Sequence, residues 1–130
     1  MELRIPGGTR GEREETVTEA RTAAAMGSGT LPVYATPALI ALMEAAAVRA
    51  LEGRLPTGHT SVGIEISVNH LRPTPVGAEV RALAAVTGVD GRFITFRLEA
   101  YQGAGRIGEG IHRRAVVDTA KFLARAGAPA

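Results

Sequence analysis

The hydrophobic period of the sequence changes at Gly58, and this change constrains the fold more than any other feature. Before Gly58 the apolar residues recur at helical spacing, whereas after it they alternate with polar residues over several segments. These later segments are joined by short turns, which connect antiparallel neighbours in a sheet. The pattern predicts an α+β fold in which an antiparallel sheet carries one long helix on one face.

The helix is predicted to begin at Thr36-Pro37 and to end near Gly53. Threonine is a good N-cap residue, proline suits the first helical turn, and glycine commonly follows the last turn. The segment is rich in alanine, which gives it high helix propensity and a slim surface that a sheet can approach closely.

One weak strand is predicted before the helix and four clearer ones after it. They are Glu12–Thr22, a segment from Gly58 to His70, Ala78–Thr87, Arg92–Gln102 and Ile107–Val117. Residues 1–11 are expected to form a loose N-terminal segment, and residues 119–130 a short helix (Thr119–Arg125) with a tail. No linker divides the chain, so residues 1–130 are predicted to form a single domain.

The composition excludes several classes of chemistry and of partner. The chain has no cysteine, so disulfides, thiolate metal sites and cysteine nucleophiles are excluded, and the spacing of its three histidines matches no metal motif. Arginines are scattered and aromatics make up 4% of the residues, which argues against a nucleic-acid partner. The longest apolar run is too short to cross a bilayer and the N-terminus lacks a signal core, so a cytoplasmic protein is expected.

Glu44 is the first candidate catalytic residue, because its side chain is predicted to point to the same side of the helix as the apolar residues. A carboxylate on a buried face is costly unless something compensates it. Two interpretations stay open. Glu44 either reaches solvent at the edge of the stripe, or it is held in a half-buried site where its basicity can be tuned.

His70 and Thr36 are the candidate partners of Glu44. His70 continues the alternation of Val62, Ile64, Ile66 and Val68, so it is predicted on the sheet face that meets the helix, either as a structural histidine or as an acid–base partner of Glu44. Thr36 is either an N-cap or a hydroxyl that orients or attacks a substrate. An ideal helix separates Thr36 from Glu44 by about 12 Å, so one site needs an irregular helix start or a second chain.

Five further residues are ambiguous or structural from local sequence. Gly63 either eases a bulge or lets a ligand carbonyl approach a backbone N–H group. Arg113 and Arg114 point to opposite faces of their strand, so one of them could meet a ligand phosphate or carboxylate. His59 and His112 have no acidic neighbour in the sequence and are interpreted as surface or structural residues.

The chain resembles the hotdog-fold acyl-CoA thioesterases, and most closely their fluoroacetyl-CoA thioesterase-like group. The resemblance covers about residues 30–120 and rests on three segments, Ala35–Leu51, Ser61–Val80 and Ile107–Val117. It implies that Thr36, Glu44 and His70 form the catalytic set. It further implies that the backbone N–H of Gly63 holds the thioester oxygen and that Arg114 lies beside the site.

The same resemblance implies a sheet wrapped around the helix and a homodimer whose two subunits share one continuous sheet. The sites would lie at the dimer interface, where neighbouring chains complete each other, and CoA would bind over the rim as part of the substrate, with no separate cofactor or metal. The resemblance does not decide whether two such dimers form a tetramer. Tyr34 is the only aromatic residue before Thr36, where the fluoroacetyl-specific enzyme has an aromatic lid, so Tyr34 is expected to contact the substrate without forming such a lid.

These observations predict an acyl-CoA thioesterase that hydrolyses a small or medium acyl thioester. The first alternative is a hotdog protein that binds acyl-CoA or a related metabolite without turning it over. The second is a hotdog hydratase or dehydratase, whose Asp/His pattern this chain lacks.

Overall fold

A computed structural model describes residues 2–127 as one antiparallel sheet with a long helix packed against it. The strands are β1 (Arg10–Thr16), β2 (His59–His70), β3 (Glu79–Asp90), β4 (Phe93–Gln102) and β5 (Gly105–Asp118), in the sheet order β1-β3-β4-β5-β2. The helices are α1 (Ala23–Met26), α2 (Thr36–Ala50) and α3 (Thr119–Arg125), with a 3₁₀ turn over Glu19–Arg21. The predicted antiparallel sheet with one long helix is confirmed.

The core lies between α2 and one face of the sheet. The buried side chains of α2 are apolar and mostly small: Ala38, Leu39, Leu42, Met43, Ala46, Ala47 and Ala50. The helix approaches β1 so closely that a Cβ atom on Gly11 would collide with the carbonyl oxygen of Ala46. On β4 the buried face consists of Ile94, Phe96, Leu98 and Ala100, the alternation that the sequence predicted.

The alternation predicted for β2 is interrupted by a β-bulge. Gly63 lies opposite Arg114 and Glu65 lies opposite Arg113, so the register against β5 shifts between them. An extra residue in one strand exchanges the faces on either side of it. The prediction of one continuous apolar face is therefore wrong at its start, where Ile64 is 47% exposed.

The α2-facing side of β2 consists of two different sets of residues. Before the bulge it carries Ser61 and Gly63, and Val62 points to the other face. After the bulge it carries Ile66, Val68 and His70. The bulge thus leaves a polar and a small residue where the sequence predicted valine and isoleucine.

The N-terminal prediction was wrong in two respects. β1 begins at Arg10 and ends at Thr16, earlier than the predicted strand, because an edge strand is held by backbone bonds to β3 and needs few β-forming side chains. The segment before it is not loose, since Ile5 is buried and the Gly8 N–H donates to the Val86 carbonyl over 2.8 Å. Residues 128–130 of the predicted tail lie outside the described part of the chain.

No helix within residues 2–127 is long and apolar enough to cross a membrane.

Candidate active site

The candidate residues lie on the α2-facing side of the sheet in two separate groups. The first, termed the carboxylate cluster, consists of Glu44, Ser61, Gly63, His112 and Arg114. The second, termed the threonine–histidine pair, consists of Thr36 and His70. Among residues 2–127, no hydrogen bond or ion pair joins the two groups.

Glu44 is presented by α2 as a half-buried carboxylate with a fixed partner. Its side chain is 41% exposed, and its Oε2 lies 3.3 Å from Nη1 of Arg114 and 3.8 Å from Nε2 of His112. Both interpretations of Glu44 are therefore partly correct. The carboxylate reaches solvent, and it is also held in place from the sheet.

Arg114 holds Glu44 from a buried position on β5. Its side chain is 8% exposed, its Nε donates to Ser61 Oγ over 2.9 Å, and its Nη2 donates to the Ser61 carbonyl over 3.1 Å. Burial lowers the pKa of Arg114, and the charge of Glu44 and its hydrogen bond oppose this effect. Because all three nitrogens of the guanidinium are bonded inside the chain, Arg114 is placed to position a carboxylate rather than to reach a ligand phosphate.

His112 belongs to the carboxylate cluster, and the sequence interpretation of this residue missed that role. Its side chain is 1% exposed, and its Nδ1 lies 2.8 Å from the Glu65 carbonyl, an acceptor that only an N–H group can satisfy. Nε2 of the neutral ring then accepts from Arg114 Nη1 over 3.0 Å. Burial lowers the pKa of His112, as does the nearby charge of Arg114, although the Glu65 bond opposes this. The ring is therefore neutral at pH 7.

One signal in the sequence could have located His112. It precedes Arg114 by two residues on β5, so the two side chains share a face of the strand. Its acidic partner, Glu44, lies on a different element and far away in the sequence, so neighbouring residues do not reveal it.

Gly63 provides the space that the Glu44 carboxylate occupies. A Cβ atom at this position would lie 2.5 Å from Glu44 Oε2 and 3.2 Å from Cε1 of His112. Its backbone conformation is not the left-handed one that favours glycine, so close approach is the physical reason for glycine here.

Thr36 does not cap α2. Ala35 occupies the N-cap position and Thr36 is the first helical residue, so the predicted capping role is wrong. Instead, Thr36 Oγ1 lies 2.8 Å from Nδ1 of His70, which reaches it from the end of β2. Burial lowers the pKa of His70, partly offset by a backbone contact with Arg72, so the imidazole is neutral at pH 7 and can accept the hydroxyl proton.

A cavity of about 310 Å³ adjoins the threonine–histidine pair and is bordered in part by Tyr34 and Arg72. The Tyr34 side chain is 1% exposed, and its hydroxyl donates to Glu15 over 2.6 Å. Burial, followed by the hydrogen bond to Glu15, raises the pKa of Tyr34. Tyr34 therefore anchors the chain that leads into Thr36.

Comparison with known proteins identifies the family of this chain. The model of a family described as fluoroacetyl-CoA-specific thioesterase matches residues 17–120, which is most of the chain. This chain belongs to that family. Membership confirms the predicted hotdog fold and the predicted class of enzyme, a thioester hydrolase.

Individual members of this thioesterase family are similar over most of their length. A fluoroacetyl-CoA thioesterase of Streptantibioticus cattleyicolor is 41% identical over 93 residues, which are 72% of this chain and 67% of the relative. The solved structure of the fluoroacetyl-CoA thioesterase FlK has a TM-score of 0.90 at 32% identity, over 95% of this chain and 96% of that one. A FlK variant solved with fluoroacetate and CoA has a TM-score of 0.85 at 33% identity, over 91% and 99%.

Proposed function

We propose that this protein hydrolyses a small or medium acyl-CoA thioester to the free acid and CoA. The observation that carries the proposal is the half-buried Glu44 carboxylate, held by Arg114 against the backbone of Gly63. A fixed carboxylate can act as general base or nucleophile in acyl transfer, and a backbone N–H group can stabilise the oxyanion. The names of the relatives, and the CoA bound to one of them, support acyl-CoA as the substrate class.

Glu44 acts on the thioester carbonyl, either as a general base toward water or as a nucleophile. Its Oε2 is engaged by Arg114, while its Oε1 accepts no hydrogen bond within residues 2–127 and faces the reactant. The backbone N–H of Gly63 stabilises the oxyanion as the carbonyl carbon becomes tetrahedral. In this proposal only protein groups and water take part, with no cofactor beyond the CoA of the substrate.

The threonine–histidine pair supplies the second half of the chemistry. The neutral His70 imidazole accepts the Thr36 hydroxyl proton, which lets Thr36 orient water or Glu44, or take the acyl group itself. Once protonated, His70 delivers a proton to the departing thiolate. When water attacks directly, Thr36 regains its proton from the attacking water. When Thr36 or Glu44 takes the acyl group, a water molecule then hydrolyses the acyl-enzyme with His70 as general base, which releases the free acid and restores the side chains.

The two groups meet in a homodimer. Within one chain, eight residues of α2 separate Thr36 from Glu44, about 12 Å along the helix axis. β2 is the outer strand of the sheet, so antiparallel pairing with the β2 strand of a second copy extends the sheet across both subunits. In this assembly each site combines the carboxylate cluster of one copy with the threonine–histidine pair of the other.

The acyl pocket in this proposal has no aromatic lid. Tyr34 is the one aromatic residue in the segment before Thr36, and its ring is packed in the core. We therefore expect several short acyl groups to be accepted, without strong selection for fluoroacetate.

The experiment measures thiol release from a panel of acyl-CoAs that includes acetyl-, fluoroacetyl- and phenylacetyl-CoA. Glu44→Ala is expected to lower kcat by at least about 100-fold, because it removes the base or nucleophile. Glu52→Ala, which removes an exposed carboxylate just beyond the end of α2, is the matched control and should hydrolyse normally. Near-normal hydrolysis by Glu44→Ala would contradict the assignment. Thermal stabilisation by acyl-CoA with no thiol release would favour the non-catalytic binding protein.

A further inference from the structure

The phosphates of a CoA substrate need cationic partners, and Arg114 is not one of them. CoA carries a pyrophosphate and a ribose phosphate at the far end of its pantetheine arm. Arg114 is buried and bonded to Glu44, Ser61 and His112, so its charge is used inside the protein. The cations that recognise the nucleotide end must lie elsewhere on the chain.

A basic cleft of about 300 Å³ lies where α3 meets the ends of β2 and β5. This α3 cleft is lined by His59, Arg92, Val116, Val117, Asp118, Lys121, Phe122 and Arg125. Three of these side chains are permanently positive and one is negative. The carboxylate, that of Asp118, accepts the backbone N–H of Lys121 over 3.0 Å and so caps α3. The cleft therefore carries net positive charge at exposed side chains.

The floor of the α3 cleft is apolar. Val116 and Val117 line it from β5, and Phe122, which is 37% exposed, lines it from α3. A partly exposed ring beside several cations suits a purine base that carries phosphates, because the base stacks on the ring while cations neutralise the phosphates.

The strand register connects this cleft to the carboxylate cluster. Gly63 pairs with Arg114, and four residues earlier on the same strand His59 pairs with Asp118. Paired residues separated by an even number of positions share a face of the sheet, so His59 and Asp118, which border the cleft at the strand ends, lie on the same face as the cluster. The distance along β2 is about 14 Å, which a pantetheine arm spans when extended.

Two other basic clefts within residues 2–127 are less suitable. Arg10, Arg49 and Arg81 line a cleft beside β1, at the opposite edge of the sheet from β2, and Arg81 is already paired with Glu12. In a cleft on the outer face of the sheet, Arg97 and Arg106 are both paired with Glu99.

We propose that the α3 cleft binds the nucleotide end of the acyl-CoA substrate. Arg92, Lys121 and Arg125 neutralise the phosphates, and Phe122 packs against the adenine. This assignment rests on the proposed thioesterase function, which places the thioester at Glu44. It gives α3, which contributes no residue to the proposed chemistry, a role in recognition.

The first test compares substrates with and without the phosphates. The double variant Lys121→Gln/Arg125→Gln is expected to raise KM for acetyl-CoA about tenfold, since two charge-assisted contacts are lost. Its kinetics on acetyl-N-acetylcysteamine, which has the same thioester and no phosphate, should match the wild type. The control Arg13→Gln/Arg54→Gln removes the same charge at exposed positions outside the cleft. It should leave KM unchanged for both acetyl-CoA and acetyl-N-acetylcysteamine.

The second test measures binding without hydrolysis. Adenosine 3′,5′-bisphosphate should bind the wild-type protein by calorimetry, and the affinity should fall about tenfold in the double variant. If the wild type binds the bisphosphate in this way but hydrolyses no thioester, the cleft assignment holds and the proposed function fails. The cleft assignment is overturned if the wild type does not bind the bisphosphate. It is also overturned if the double variant keeps wild-type affinity and KM.

Discussion

Nη1 of Arg114 serves two partners at once, the carboxylate of Glu44 and Nε2 of His112. The arrangement requires a neutral imidazole, because a proton on Nε2 would point at the guanidinium. His112 is thus a positioning residue that acts on Glu44 through Arg114. A charged histidine here would release Arg114 and loosen the carboxylate.

This constraint predicts a pH dependence of stability. Burial lowers the folded-state pKa of His112 below its unfolded value of about 6.5, so the unfolded chain binds more protons in the window below that value. The stabilisation from a neutral His112 is complete above about pH 6.5 and is lost as the pH falls below it. His112→Gln keeps an acceptor for Arg114 but does not titrate, so its stability should change less between pH 7.5 and 5.5.

Urea unfolding at the two pH values measures this effect. His59→Gln is the matched control, because His59 is partly exposed and, within residues 2–127, its ring is hydrogen-bonded only to the Thr57 carbonyl. The variant His112→Gln should also keep most of its thioesterase activity. An unchanged pH dependence in His112→Gln would show that His112 does not titrate with folding.

The local pattern indicated only part of this cluster. Helical direction indicated Glu44, whereas strand alternation left Arg113 and Arg114 open, and only the resemblance to the thioesterases selected Arg114 and gave Gly63 a role at the site. His112 was missed because its partner Glu44 lies on another element. The paired state of Arg114 and the buried ring of Tyr34 depend on tertiary contacts, which no local pattern records.

The bulge in β2 decides which residues face α2. β4 was predicted correctly from its alternation alone, because at its two register shifts the extra residue lies in the neighbouring strand, β3 or β5, and not in β4. In β2 the extra residue between Gly63 and Glu65 shifts the alternation, and Gly63 itself was the one signal of it, since a bulge was one of the two interpretations of this glycine. The bulge places a glycine, not a valine, beneath the Glu44 carboxylate.

Gly63→Ala tests this placement. The added Cβ would lie 2.5 Å from Glu44 Oε2, so the carboxylate must move and kcat is expected to fall at least about tenfold. Gly88→Ala is the matched control, since Gly88 also lies at a register shift in a strand, but a Cβ there would meet nothing within 4 Å beyond its chain neighbours. The measurements are kcat by thiol release and the thermal midpoint. Equal activity of the two variants would argue against Glu44 as the reacting carboxylate.

The candidate residues divide between the first turn of α2, which carries Thr36, and its middle, which carries Glu44. Family membership and the outer position of β2 support a dimer in which the two groups meet across the interface. The sequence already indicated this separation, because eight residues of ideal helix place Thr36 about 12 Å from Glu44. The structure retains the separation, since α2 starts at Thr36 without a distortion that would shorten it.

Mixing two inactive variants tests whether the site is shared between chains. Thr36→Ala and Glu44→Ala are each expected to be nearly inactive as homodimers. In a heterodimer with shared sites, one site contains both substitutions and the other contains neither, so the second site is intact. Random mixing makes about half of the dimers heterodimers, so co-refolding the two variants in equal amounts should restore about a quarter of wild-type activity. If each site lay within one chain, every site in the mixture would carry one substitution and no activity would return.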